Sequence, residues 1–275
     1  MCTSYYLSLS LNLKVLTVLN FLKGCYMKIG IIGVGNIGKT LARLLKEAGH
    51  TIYVANSRGV DGVRKIADEI NVEAVDIYGA VNYSDVVILS IPLPAIKELP
   101  KDLFYSAPTD KIIIDTSNYY PDFRDPHIKE IDDGMTESVW VSKQINRPVI
   151  KAFNNILAYS LAELGQVEGS KNRLAIVVAG DSVPSKNIVM SLVNDIGFDP
   201  VDAGNLEDSW RQQPCTPAYC CDYDQQMMRK GLTIAQKGEA QKKRDRLPEL
   251  FSSLGANPTH QDIVQMNRNL NRIAD

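Results

Sequence analysis

The chain has 275 residues, 45% of them hydrophobic and 23% charged, and a formal net charge of -2. That size and apolar share suit one large or two modest globular domains, and the near-neutral balance leaves no electrostatic footprint for nucleic acid. The five cysteines, Cys2, Cys25, Cys215, Cys220 and Cys221, are odd in number and irregularly spaced; this excludes a disulfide framework, predicts no metal site and points to a reducing, cytoplasmic setting.

The stretch Leu7 to Leu22 is apolar but interrupted by Ser8, Ser10, Asn12, Lys14 and Asn20, which makes a poor membrane span. Its first positive charge lies inside the apolar run, which also argues against a secretory signal, so no membrane association is expected. Met27 reads as the natural start, with residues 1–26 an upstream extension outside the native fold.

From Met27 onward, apolar runs alternate with helical patterns, which predicts an α/β fold: a Rossmann-type doubly wound parallel sheet with a smaller C-terminal α/β portion. The first strand runs into Gly33-Val34-Gly35-Asn36-Ile37-Gly38, and a helix over Lys39 to Ala48 follows. In this fingerprint the first glycine makes a tight turn, the second lets the backbone approach a pyrophosphate, and the third packs the helix against the strand. The helix amides then face the phosphates. The second strand, His50 to Ala55, ends in Asn56-Ser57-Arg58. A carboxylate about 20 residues beyond the first glycine would hold the ribose hydroxyls of NAD. Asn56 stands there instead, and Ser57 and Arg58 offer a hydroxyl and a guanidinium to a 2'-phosphate, so the expected cofactor is NADP(H).

Further strands are expected at Val72 to Val75, Val86 to Ile91 and Lys111 to Asp115, with a short helix around Ile77 to Tyr83. The loops Ser90-Ile91-Pro92-Leu93 and Ser117-Asn118 leave the carboxyl ends of two of these strands, where ligands of open parallel sheets bind, and are assigned to the nicotinamide half. The division predicted is an NADP-binding domain over 27–147 and an acceptor-side or oligomerisation region over 148–275. The latter contains a strand in Pro148 to Asn155, a helix over Ala158 to Leu164, a strand over Arg173 to Ala179, a helix over Pro184 to Asp195, a strand over Pro200 to Ala203, and polar helical stretches beyond Trp210.

Lys151, Asn154 and Asn155 are candidates to face the substrate; Lys151 and Asn155 echo the lysine and asparagine of β-hydroxyacid dehydrogenases. Of the three histidines, His50 and His260 read as structural, while His127 follows the Asn118 loop and is a substrate candidate. Trp210 and Tyr219 offer planar surfaces on the acceptor side. No catalytic acid or base is assigned.

The motifs Gly33 to Gly38, Asn56-Ser57-Arg58, Ser90-Ile91-Pro92, Asp115-Thr116-Ser117-Asn118 and Lys151-Ala152-Phe153-Asn154 together resemble the NADP oxidoreductase family dependent on the deazaflavin coenzyme F420, over about residues 27 to 205. The resemblance extends to bacterial relatives and to the cytosolic domain of six-transmembrane ferric reductases. It implies NADPH on the Rossmann domain and hydride transfer to a small-molecule acceptor, a deazaflavin or flavin, and it makes a homodimer the expected assembly. The tail from Ser209 to Pro217 departs from the archaeal enzymes and resembles the bacterial branch. Two other readings compete: a non-catalytic NADP-binding regulatory protein, and an imine reductase resembling pyrroline-5-carboxylate reductase. The strands expected at Arg173 to Ala179 and Pro200 to Ala203 argue against the helical second domain of the latter.

Overall fold

The computed structural model describes residues 26–273; the extension read at 1–26 lies, Tyr26 apart, outside them. Strand β1 (Lys28–Ile32), helix α1 (Asn36–Glu47), β2 (Thr51–Ala55), α2 (Gly59–Ile70), β3 (Glu73–Ala74), α3 (Ile77–Asn82), β4 (Val86–Leu89), β5 (Ile112–Asp115), α4 (Lys129–Asp132), α5 (Glu137–Ile145) and β6 (Ile150–Lys151) follow in chain order. The six strands form one sheet in the order β3-β2-β1-β4-β5-β6, and every pairing is parallel. The fold is a Rossmann-type α/β sheet. Its strand order reverses between β1 and β4, which opens a crevice at the carboxyl ends of those two strands.

The alternation of side chains across each strand explains why these segments are apolar throughout. Ile29 and Ile31 of β1 and Val86 and Ile88 of β4 pack with Leu41, Leu45 and Val63 on one face. Ile32, Val87 and Leu89 pack on the other with Val81, Leu93 and Trp140. A sheet covered on both faces has no polar side to give, so its strands lose the alternating pattern.

Several element limits differ from the sequence expectation by a residue or more, and three of them have a plain local cause. Helix α1 begins at Asn36, because Gly35 itself is the cap. Strand β4 stops at Leu89, since Pro92 leads straight into a 3-10 turn over Leu93–Glu98. In the stretch from Pro148 to Asn155 only Ile150–Lys151 is paired; Phe153, with φ of 62°, turns the chain out of the sheet.

Beyond β6 come α6 (Ala158–Glu163), β7 (Ala175–Val178), α7 (Val183–Asp195) and β8 (Asp199–Asp202), then α8 (Gln225–Ile234), α9 (Glu239–Arg244), α10 (Leu247–Ser253) and α11 (His260–Leu270). Strands β7 and β8 make a parallel pair joined through α7, whose first turn Ser182 caps by accepting from the Ser185 amide. The pair is tied to the large sheet by an antiparallel bridge: Lys151 N–H donates to Ala179 O at 2.8 Å and Ala179 N–H returns to Lys151 O at 3.0 Å. The sixth strand thus lies beyond residue 147 and still completes the first sheet. Among the described residues, no helix is long and apolar enough to cross a membrane.

Candidate nucleotide and acceptor site

The glycine loop sits at the exit of β1. Gly33 has φ of 100° and its N–H donates to Ala55 O at 2.8 Å. A Cβ there would meet Ser90 O at 2.2 Å, and one at Gly38 would meet Gly33 O at 1.9 Å. Both glycines are therefore required by the protein's own packing. Gly35 differs: a Cβ built on it would meet nothing within 4 Å. The space over Gly35 faces no protein, and α1 starts there with no side-chain cap and no acidic residue in its first turn. Uncapped amides and an absent carboxylate are the conditions under which a helix N-terminus accepts phosphate.

At the exit of β2, Asn56 organises its own turn: its Oδ1 accepts from the Arg58 amide at 2.8 Å and its Nδ2 donates to Gly62 O at 2.9 Å. Ser57 and Arg58 are exposed. The Arg58 guanidinium reaches Gly62 O at 3.4 Å and takes part in no ion pair among the described residues. These residues fit a dinucleotide bearing a 2'-phosphate.

Of the loop residues assigned to the nicotinamide half, Ser90, Ile91 and Pro92 are accessible to differing degrees, and Ser90 packs against the glycine loop. Leu93 needs correction: it is fully buried in the core beside Ile96 and Val81, because the 3-10 turn folds it back onto the sheet. Asn118 is half-buried, and it exchanges hydrogen bonds with Asn154, its Nδ2 donating to the Asn154 carbonyl and its Oδ1 accepting from Asn154 Nδ2, both at 3.0 Å. Ser117 is buried, its amide and hydroxyl both donating to Asp115 Oδ1 at 2.9 and 2.6 Å.

The substrate candidates are corrected as well. Lys151 and Asp115 are both fully buried and form an ion pair of 3.0 Å. The lysine also donates to Ser117 O, and Asp115 Oδ2 accepts from Ser138 Oγ at 2.6 Å. Asn154 bonds Gln212 in both directions, through Nδ2 to its carbonyl at 2.7 Å and Oδ1 from its Nε2 at 2.8 Å. Asn155 accepts from the Val177 amide at 3.2 Å and donates to Ala218 O at 3.2 Å. The two asparagines bind the C-terminal segment to the sheet and the lysine joins β6 to the end of β5, because a buried polar group must find partners within the protein. His127 is on the surface, between Asp132 at 2.7 Å and Asp122 at 3.0 Å. The hydrogen bond to Asp132, then that to Asp122, raises its pKa.

The sequence reading missed Asp115, Ser138 and Gln212, which complete this network. A signal for the first existed: β5 and β6 are apolar strands that each end in one charge, and their register sets Asp115 opposite Lys151. It also missed Glu137, buried with its Oε2 accepting from the Tyr119 amide at 3.2 Å and its Oε1 3.9 Å from Arg244 Nη1. Burial pushes the Glu137 carboxyl up to about 7, against the opposing pull of Lys151 and Arg244.

Residues 28–119 match the family described as NADP oxidoreductase, coenzyme F420-dependent. The protein YjhV of Escherichia coli K12 is 51% identical over 107 residues, which are 38% of this chain and 76% of YjhV. The crystal structure of the hypothetical protein SMa0349 from Sinorhizobium meliloti is 30% identical, with a TM-score of 0.59 over 70% of this chain and 92% of that one. The chain belongs to the coenzyme F420-dependent NADP oxidoreductase family. As a member it is an NADP-dependent oxidoreductase. A candidate F420-dependent NADP-reductase from Arthrobacter sp. FB24 shares the fold, at 18% identity and a TM-score of 0.54 over 67% of this chain and 87% of that one. The family match takes in the glycine loop, the Arg58 turn and the loops after β4 and β5, and it ends at Tyr119.

Proposed function

We propose that the protein passes hydride from NADPH to a planar small-molecule acceptor, a deazaflavin or flavin, in the cytoplasm. The observation that carries this reading is the open approach to Gly35 beside an Arg58 that has no acidic partner among the described residues. When bound, NADPH supplies the hydride. Amides at the start of α1 hold the pyrophosphate, Arg58 takes the 2'-phosphate, and Ser90 to Pro92 with Asn118 bound the nicotinamide side. Transfer to a flavin-type ring asks for stacking geometry and a dry pocket, and it needs no dedicated acid. The histidines agree with that demand: His50 is buried against the Met27 amide, His127 lies among surface carboxylates, and His260 is paired with Asp222 at 2.8 Å. Cys215, Cys220 and Cys221 are free thiols, as a reducing compartment permits.

The test is stopped-flow absorbance of bound NADPH mixed with a deazaflavin, a flavin and a quinone. Loss of the reduced nicotinamide signal with the first two supports the reading. Tight NADPH binding with no oxidation across the panel would replace it with a regulatory nucleotide-binding role.

A further inference from the structure

Helices α9, α10 and α11 enclose a thinner core than the sheet does. Many of the side chains packed on the two faces of the sheet are wholly buried. In the cluster under these helices the buried residues are Cys215, Leu247 and Met266, while Leu250, Leu254 and Leu270 beside them stay partly open. Those leucines line a groove of about 440 Å³ between α10 and α11. Arg246, Leu250 and Leu254 form its wall along α10, and Asp262, Met266 and Leu270 its wall along α11; residues four apart on a helix share one face. The two faces run antiparallel. Lys243 Nζ donates to Asn271 Oδ1 at 2.6 Å, which sets the end of α11 beside the start of α10, and the short connection from Leu254 to Thr259 brings Asp262 to the other end.

Charge is divided along this axis. Lys243 and Arg246 line the groove at the start of α10, and Asp262 lines it at the far end. The Arg246 side chain is exposed and has no hydrogen bond or ion pair among the described residues. Lys243 gives one donor to a neutral amide and has no ion pair among them. Asp262 is committed to its own helix, its Oδ2 accepting from the Thr259 amide and hydroxyl at 2.8 and 2.7 Å.

We propose that this groove binds a free medium-chain fatty carboxylate, its head received by Arg246 and Lys243 and its chain laid along Leu250, Met266 and Leu254. An unpaired guanidinium and a nearby ammonium offer the head charge-assisted hydrogen bonds. The leucines and the adaptable methionine side chain take the hydrocarbon out of water. The helical path from Arg246 to Leu254 is about 12 Å long, which an extended chain of about eight to ten carbons spans. A space of 440 Å³ falls in the range of about 300–1,000 Å³ usual for small-molecule sites, and its course along two helices suits a linear chain better than a planar ring. The groove shares no lining residue with the loops assigned to NADPH, so this site stands apart from the hydride-transfer reading.

The test is calorimetric titration of the full chain, without nucleotide and at constant ionic strength, with butyrate, hexanoate, octanoate, decanoate and dodecanoate below their micellar concentrations. Octanol and octylamine serve as the neutral and cationic matches of octanoate. Saturable binding of octanoate and decanoate is expected, with affinity rising by about threefold per added methylene and levelling beyond decanoate. Octanol should bind at least about tenfold more weakly than octanoate, and octylamine more weakly still. Arg246→Gln removes an exposed charge that has no partner among the described residues, so it should lower octanoate affinity by about tenfold and leave octanol binding and the thermal midpoint unchanged. Gln265→Trp, at an exposed position on the wall, should fill the groove and weaken every chain length. No saturable binding up to about 5 mM, octanol binding equal to octanoate, or unchanged octanoate affinity in Arg246→Gln overturns the proposal. Because nucleotide is left out, failure here leaves the hydride-transfer reading standing, and the converse also holds.

Discussion

At the carboxyl edge of the sheet, the exit of β1 and the exits of β5 and β6 are built in opposite ways. Around Gly35 the chain leaves space open, starts a helix without a cap, and sets an arginine beyond β2 with no ion partner among the described residues. Around Asp115 and Lys151 every functional-looking group is engaged: the carboxylate accepts from Ser117, Ser138 and Lys151, and the lysine is fully buried. The residue types at the second place look more like chemistry than those at the first. Availability, more than polarity, separates a ligand site from an internal joint.

The largest expected effect tests the joint. In Lys151→Met the Asp115 carboxylate loses its buried counter-charge, so stability should fall by about 3–5 kcal/mol, read as a lower unfolding free energy in urea titrations. Adding Asp115→Asn to the same chain should recover much of that loss, because the isolated buried charge is then gone. A Lys151→Met protein of wild-type stability that had lost turnover would break the comparison and return Lys151 to the substrate.

Next in size is the open side. Gly35→Leu should leave the thermal midpoint near that of the unaltered protein, since a Cβ at that position meets nothing within 4 Å. Its affinity for NADPH and NADH alike should drop by at least about a hundredfold, or about 3 kcal/mol, because the obstruction lies at the pyrophosphate both share. Gly38→Ala is the sharpening control. Its Cβ would stand 1.9 Å from Gly33 O, so it should lose stability as well as binding. Equal thermal losses in the two variants would mean that Gly35 is also held by packing.

The contrast explains how much the sequence reveals. The sheet, its order of elements and the glycine loop are legible because double-sided burial forces unbroken apolar strands, and because steric demands at Gly33 and Gly38 leave one residue type. Asn56 also declares itself, although its side chain turns out to shape the Arg58 turn. Lys151, Asn154 and Asn155 mislead for a physical reason. A polar side chain that crosses between distant segments, as Asn154 does to Gln212 and Asn155 to Ala218, is indistinguishable in one dimension from one that reaches a ligand. The pairing of Asp115 with Lys151 was within reach through strand register, whereas the Glu137 and Arg244 approach joins elements over a hundred positions apart and leaves no periodic trace.

A smaller effect concerns coenzyme choice. Arg58→Ala should weaken NADPH binding by about 1–3 kcal/mol through loss of one charge-assisted contact and leave NADH nearly unchanged, as measured by titration calorimetry with both. Equal losses would indicate that the guanidinium, which donates to Gly62 O, supports the loop and not the 2'-phosphate.

The smallest effect is at His127, and it separates a surface ion cluster from a substrate contact. Its pKa is raised from 6.5, first by the hydrogen bond to Asp132 and then by that to Asp122, so the folded protein holds the proton more tightly than the unfolded chain. The resulting stabilisation is fully present below about 6.5 and is lost as pH rises through the elevated folded value. In NMR titration the His127 ring should therefore show a midpoint above 6.5, and His127→Gln should abolish the corresponding pH dependence of amide exchange at Ile128, whose N–H donates to Tyr119 Oη beside Asp132. Solvent screening keeps the stability change slight at so exposed a position. The rate of NADPH oxidation should be unaltered in the same variant. If turnover fell while exchange at Ile128 stayed as before, the imidazole would be acting on the ligand, and the exits of β5 and β6 would have to be counted as open after all.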